Sequence, residues 1–99
     1  MTKPDSADAK AAVTQSAFYA HELPGMPSPR GKREWQNGGI CPFHDDRRPN
    51  SFHVNLDTGA FRCFACGASG GDVLAFVMQR DGLAFREALQ SLCDEWGIL

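Results

Sequence analysis

The sequence predicts a small α+β domain, a short antiparallel sheet with flanking α-helices, on three observations. The run Ser51 to Asp57 alternates strictly, with Phe52, Val54 and Leu56 on one face and Ser51, His53, Asn55 and Asp57 on the other, which is the period of a half-buried strand. Two later stretches place apolar residues at helical spacing. Two short pairs of ligand-type residues, Cys41-x2-His44 and Cys63-x2-Cys66, lie eighteen residues apart, and a core this small needs such a staple.

Along the chain, Ser6 to Leu23 reads as one amphipathic helix, since Ala11, Ala12, Phe18, Tyr19 and the surrounding alanines favour it. Three prolines in the six residues 24–29 remove donors and fix φ, so the helix stops there. The basic run Arg30 to Arg33 and Trp35 follow, and Asn37-Gly38-Gly39 reads as a turn. Residues 1–37 are therefore expected to be a helix and a Pro-rich linker, partly flexible, and residues 38–99 the domain proper. Within it, Asp57-Thr58-Gly59 turns the first strand into a partner, Ala60 to Phe64, whose end delivers Cys63. Asp72 is a fitting N-cap for a helix to Arg80, with Asp81-Gly82 as its stop. A last helix, Ala84 to Trp96, spaces Phe85, Leu89, Leu92 and Trp96 on one face, and Gly97 ends it. Cys93, beside Leu92, reads as a core-facing thiol.

Composition narrows the chemistry. Met1 to Lys10 has no apolar leader core and no stretch approaches the roughly 18 apolar residues of a membrane span, which predicts a cytoplasmic protein. In a reducing cytoplasm, cysteines favour metal ligation over disulfides. The formal net charge of -2 is uneven: residues 30–62 carry +2, between arms of -1 and -3. An anionic partner would meet the middle.

The spacing Cys41-x2-His44…Cys63-x2-Cys66 fits two knuckles, each pair spanning one edge of a tetrahedron, and predicts one zinc ion. Pro42, Gly67 and Gly70 suit tight loops whose amides face sulfur. A full Cys3His shell leaves no open position, so the zinc is expected to be structural and not catalytic. A redox Cys-x-x-Cys expects a βαβ setting that Cys63-Phe64-Ala65-Cys66 lacks.

The ordered detail around those ligands is more specific still. Cys41-Pro42-Phe43-His44-Asp45-Asp46-Arg47-Arg48-Pro49, Ser51-Phe52-His53-Val54 and Phe61-Arg62-Cys63-Phe64-Ala65-Cys66-Gly67-Ala68 resemble the zinc-binding domain of bacterial DnaG-type primases. The likeness continues through Gly70 to Met78 and Phe85 to Leu89, and covers about residues 38 to 98. It implies a zinc ribbon that contacts single-stranded template DNA and helps a separate catalytic domain start primers. It also implies Cys41, His44, Cys63 and Cys66 as ligands, with Arg47, Arg48, Arg62 and the strand aromatics near the template. Asn50 stands as an extra residue after Pro49. Family primases continue into a metal-dependent polymerising domain, so this chain alone is expected to polymerise nothing.

An exposed Arg62, His53 and Phe61 or Phe64 would offer charge for phosphate and flat faces for bases, although Phe52, Phe61 and Phe64 are all candidates for the core. An adaptor docking on a separate primase, helicase or polymerase protein through its helices is the competing expectation, prompted by the acidic carboxy-terminal part and by Phe18 and Tyr19.

Overall fold

The computed structural model describes residues 14–23, 25–43 and 51–97. Among them, the chain forms the predicted α+β domain: a four-stranded antiparallel sheet in the order β1-β2-β3-β4 with three helices. The strands are β1 (Trp35–Gly39), β2 (Phe52–Asn55), β3 (Phe61–Cys63) and β4 (Ser69–Gly70). The helices are α1 (Gln15–Glu22), α2 (Val73–Asp81) and α3 (Phe85–Trp96).

Local chemistry sets the helix ends. Thr14 is extended and its hydroxyl accepts from Ala17 N at 3.2 Å, so α1 begins at Gln15 and is not one run from Ser6. The amino-terminal part of that expected helix, residues 6–13, lies outside the described residues. Asp72 caps α2 by accepting from Ala75 N at 2.8 Å, and Gly82 ends it in the left-handed region. Ala84 has no polar side chain to cap α3; instead Glu87 reaches back to accept from Ala84 N at 3.0 Å.

The inner face of the sheet and the helices close on one aromatic core. Phe76 of α2 is its hub, with the rings of Phe18, Tyr19, Phe43, Phe52 and Phe61 all between 5.3 and 6.5 Å from it, centroid to centroid. Most of these contacts are edge-to-face, the arrangement the ring quadrupole favours. Phe18 and Tyr19 are fully buried, and Trp96 of α3 lies 6.2 Å from Phe18.

Three sequence-based expectations change. Asn37-Gly38-Gly39 is not a turn: it is the second half of β1, with a bulge between Asn37 and Gly39 opposite Phe52 and His53. Gly38 is there because the Phe52 ring lies where its side chain would be, with Cδ2 2.5 Å from an added Cβ. β1 thus runs through residues 37 and 38. Asn55, on the polar face of β2 by its alternation, is instead buried, its Oδ1 accepting from Asp57 N and Thr58 N to build the turn. The end of the Pro-rich stretch is tied down: Gln36 Oε1 accepts from Arg30 N at 2.9 Å, and Gln36 Nε2 donates to Arg30 O at 3.0 Å and to Arg33 O at 2.7 Å.

Candidate functional site

The first knuckle is held by packing. Phe43 stacks on Phe61 at 5.2 Å and 20°, and its amide donates to Cys41 Sγ at 3.4 Å. The second knuckle is built by backbone: Gly67 N donates to Cys63 O at 3.0 Å and Cys63 N to Ala68 O at 2.8 Å, with Gly67 at a φ of 81° that suits glycine. β3 and the first knuckle therefore converge, and the sulfurs of Cys41, Cys63 and Cys66 all lie within 4.8 Å of one another.

These residues fit a metal. With Zn–S bonds of about 2.3 Å, two sulfurs of a tetrahedron sit roughly 3.8 Å apart, and Cys41 Sγ and Cys66 Sγ are 3.9 Å apart. Cys41 and Cys63 are buried while Cys66 is exposed. Burial pushes the Cys41 thiol up to about 12, and its neighbouring thiols add to that against the Phe43 amide. Cys63 is also penalised by burial, but the amides of Cys66 and Ala65 and the thiols of Cys41 and Cys66 outweigh this and bring it below its ordinary value. The fourth expected ligand, His44, lies outside the described residues, as do Arg47, Arg48 and Asn50. Cys93 is buried in the core, as read from the sequence, where burial raises its thiol.

A second cluster, His21, Glu22 and Glu95, also brings ligand atoms together. Glu22 already has partners there, with Arg80 Nη2 3.1 Å from its Oε1 and His21 Nδ1 2.7 Å from its Oε2.

The outer face of the sheet carries a cross-strand row. Asn37 pairs with His53, His53 with Arg62, and Arg62 with Ser69, so one row crosses four strands. Phe52 and Phe61 are core, at 0% and 1% exposure, but Phe64 is 65% exposed. The Arg62 guanidinium lies 4.8 Å from the Phe64 ring centroid and the His53 ring 5.4 Å from it, a cation–π contact that orients both groups. Trp35, 45% exposed, lines one groove with Arg62 and Phe64 and another with Arg30, Arg33 and His53. Sequence reading named Arg62 and His53 but not Trp35 as part of this face; its place beside a basic run was the available signal. The face thus offers guanidinium groups and open rings side by side.

Among the described residues no helix is long and apolar enough to cross a membrane. Residues 30–99 match the model of the CHC2 zinc finger, the DnaG-type zinc ribbon. The chain is 49% identical over 59 residues to the DNA primase of Mycolicibacterium smegmatis, which is 60% of this chain and 9% of that protein. It is 45% identical over 71 residues to the DNA primase of Deinococcus radiodurans, covering 72% and 12%. Against the DNA primase of Listeria monocytogenes it is 42% identical over 64 residues, or 64% and 10%. The chain therefore spans about a tenth of the length of these curated relatives. On the fold, the clustered cysteines and a family match over most of its length, the chain belongs to the CHC2 zinc-finger family, the zinc ribbon of DnaG-type DNA primases.

Proposed function

We propose that this ribbon is a template-binding module of replication priming, which binds single-stranded DNA on the outer face of its sheet and leaves polymerisation to a separate catalytic domain or protein. The observation that carries this is the Asn37–His53–Arg62–Ser69 row with Trp35 and Phe64 exposed beside it. Cations and open rings interleaved on one surface are what a single strand requires, since phosphates seek charge and unpaired bases seek a stacking partner. Similarity to DNA primases over this segment supports the same reading.

In this reading Cys41, His44, Cys63 and Cys66 hold one zinc ion, in the residue order that the CHC2 description gives. When bound, the ion cross-links the two knuckles and, with its four positions filled, supplies no Lewis-acid chemistry. Arg47 and Arg48 follow His44 in sequence and are assigned to the same DNA contact. Because Phe18 and Tyr19 are buried against Phe76, α1 is assigned to the same folding unit as the ribbon. The protein is placed in the cytoplasm.

Fluorescence anisotropy of the zinc-loaded chain with labelled single-stranded and duplex DNA, at two salt concentrations, tests this. Binding that prefers the single strand, weakens with salt and falls in Arg62→Ala/Phe64→Ala is the expected result. Absence of binding at high micromolar protein would overturn it. The adaptor reading would then stand, on the 46% exposed Phe85 at the start of α3 and the exposed Glu87, Asp94 and Glu95 along it.

A further inference from the structure

The stretch before β1 forms a groove with the outer sheet face. Arg30, Arg33, Trp35, Asn37 and His53 line it, its volume is about 730 Å³, and no acidic side chain lines it among the described residues. That is within the range of about 300–1,000 Å³ usual for small-ligand sites. Two arginines and a tryptophan with 45% exposure among its lining residues match the two ends of a nucleotide, a phosphate and a base.

The basic wall is built, not loose. Gln36 is 7% exposed, and its oxygen and both of its amide hydrogens go to the backbone of the preceding turn: it accepts from Arg30 N and donates to Arg30 O and Arg33 O. Gly31, at a φ of 62°, lets the chain double back between the two arginines. A turn fixed in this way has lost its backbone freedom on folding, so a ligand does not bear the ordering cost that a mobile linker would impose.

We propose that this groove seats one nucleotide of single-stranded DNA, its phosphate on Arg30 and Arg33 and its base against Trp35, with Gln36 as the residue that positions the basic turn. This rests on the single-strand reading above and adds to it a subsite on the β1 side of the sheet. A strand lying from this groove along the Asn37–His53–Arg62–Ser69 row toward Phe64 would be held at a fixed register, because its phosphate is anchored at one end.

The test is anisotropy of the zinc-loaded chain with labelled oligothymidine across a salt series. Arg30→Ala/Arg33→Ala should lower the slope of log affinity against log salt by about 0.7, the loss of the one phosphate that the two arginines neutralise together. Gln36→Leu should lower it in the same direction while zinc content is unchanged. In a Trp96→Phe background Trp35 is the only tryptophan left of the two, and oligothymidine should quench it. An unchanged slope in the arginine double variant, while the parent chain still binds, overturns the subsite and leaves the single-strand reading intact. Unquenched Trp35 fluorescence overturns the placement of the base. If Gln36→Leu does not fold, hydrogen exchange at the Arg30 amide decides the positioning role: protection is expected, and exchange at the rate of a free peptide overturns it. No oligothymidine binding by the parent chain overturns both readings.

Discussion

Tyr19 of α1 donates its hydroxyl to the carbonyl oxygen of Gly59, 2.5 Å away inside the core and 40 positions along the chain. This bond ties the amino-terminal helix to the turn between β2 and β3, and so to the strand that presents Cys63. Burial raises the phenol well above its ordinary range, with the charge of Asp72 adding to the effect, so the proton stays on Tyr19 and the bond keeps its donor.

Tyr19→Phe removes that donor and leaves a buried carbonyl oxygen without it. The expected cost is about 1–3 kcal/mol, read as a lower midpoint in urea or heat with the zinc content unchanged. No loss of stability would mean that α1 does not dock on the ribbon in solution.

Phe61 and Phe64 are three residues apart but belong to different environments, 1% and 65% exposed. Phe61→Ala empties the core beside Phe43 and Phe76 and should cost about 3–5 kcal/mol. Phe64→Ala should change stability by no more than about 0.5 kcal/mol and weaken single-strand binding by about 1–3 kcal/mol, the loss of one stacked base. Denaturation and anisotropy on the same two variants separate these effects.

Removal of the metal should release the two knuckles together. A structural zinc contributes an apparent ~10–16 kcal/mol in small zinc-finger peptides, comparable with or above the whole stability of about 5–15 kcal/mol of a domain. Chelation should therefore abolish the cooperative melt of the sheet, followed by near-ultraviolet circular dichroism, and zinc should restore it. A chelated chain that melts like the loaded one would overturn a structural role for the ion.

Gly70 faces the Phe61 ring, whose Cε1 would lie 2.5 Å from an added Cβ, with Ala75 Cβ at 2.8 Å. Gly70→Ala forces β4 off the sheet or the ring out of its rotamer. A loss of about 1–3 kcal/mol is expected, measured by urea denaturation.

Acid should weaken the α2 end of the molecule. Hydrogen bonds from Arg80 hold the Asp81 carboxyl below its ordinary range. A carboxyl lowered in the folded state contributes stability above its unfolded value, and that contribution fades as pH falls through the folded value. Asp81 is 37% exposed, so screening limits the effect to below about 1 kcal/mol. Acid also protonates the thiolates and releases zinc, so the measurement is the difference between the parent chain and Asp81→Asn: the variant should start slightly less stable at neutral pH and converge on the parent in acid.

The sequence by itself determined what is periodic or local. Alternation in Ser51 to Asp57 placed β2, helical spacing and the Asp72 and Gly82 caps placed α2, and the paired ligand spacing marked the two places from which Cys41, Cys63 and Cys66 converge. Each of these signals comes from neighbours along the chain, and hydrogen bonds or ligand geometry within a few residues enforce them. Tertiary structure decided the rest. Asn37-Gly38-Gly39 carries turn chemistry, yet becomes a strand because the Phe52 ring needs a glycine opposite it. Phe61 is buried and Phe64 exposed because β3 ends at Cys63, where the knuckle turns the chain away from the core. The amide of Gln36 holds a basic turn that composition alone marks as linker, since no pattern in the sequence says which backbone groups a buried side chain will find.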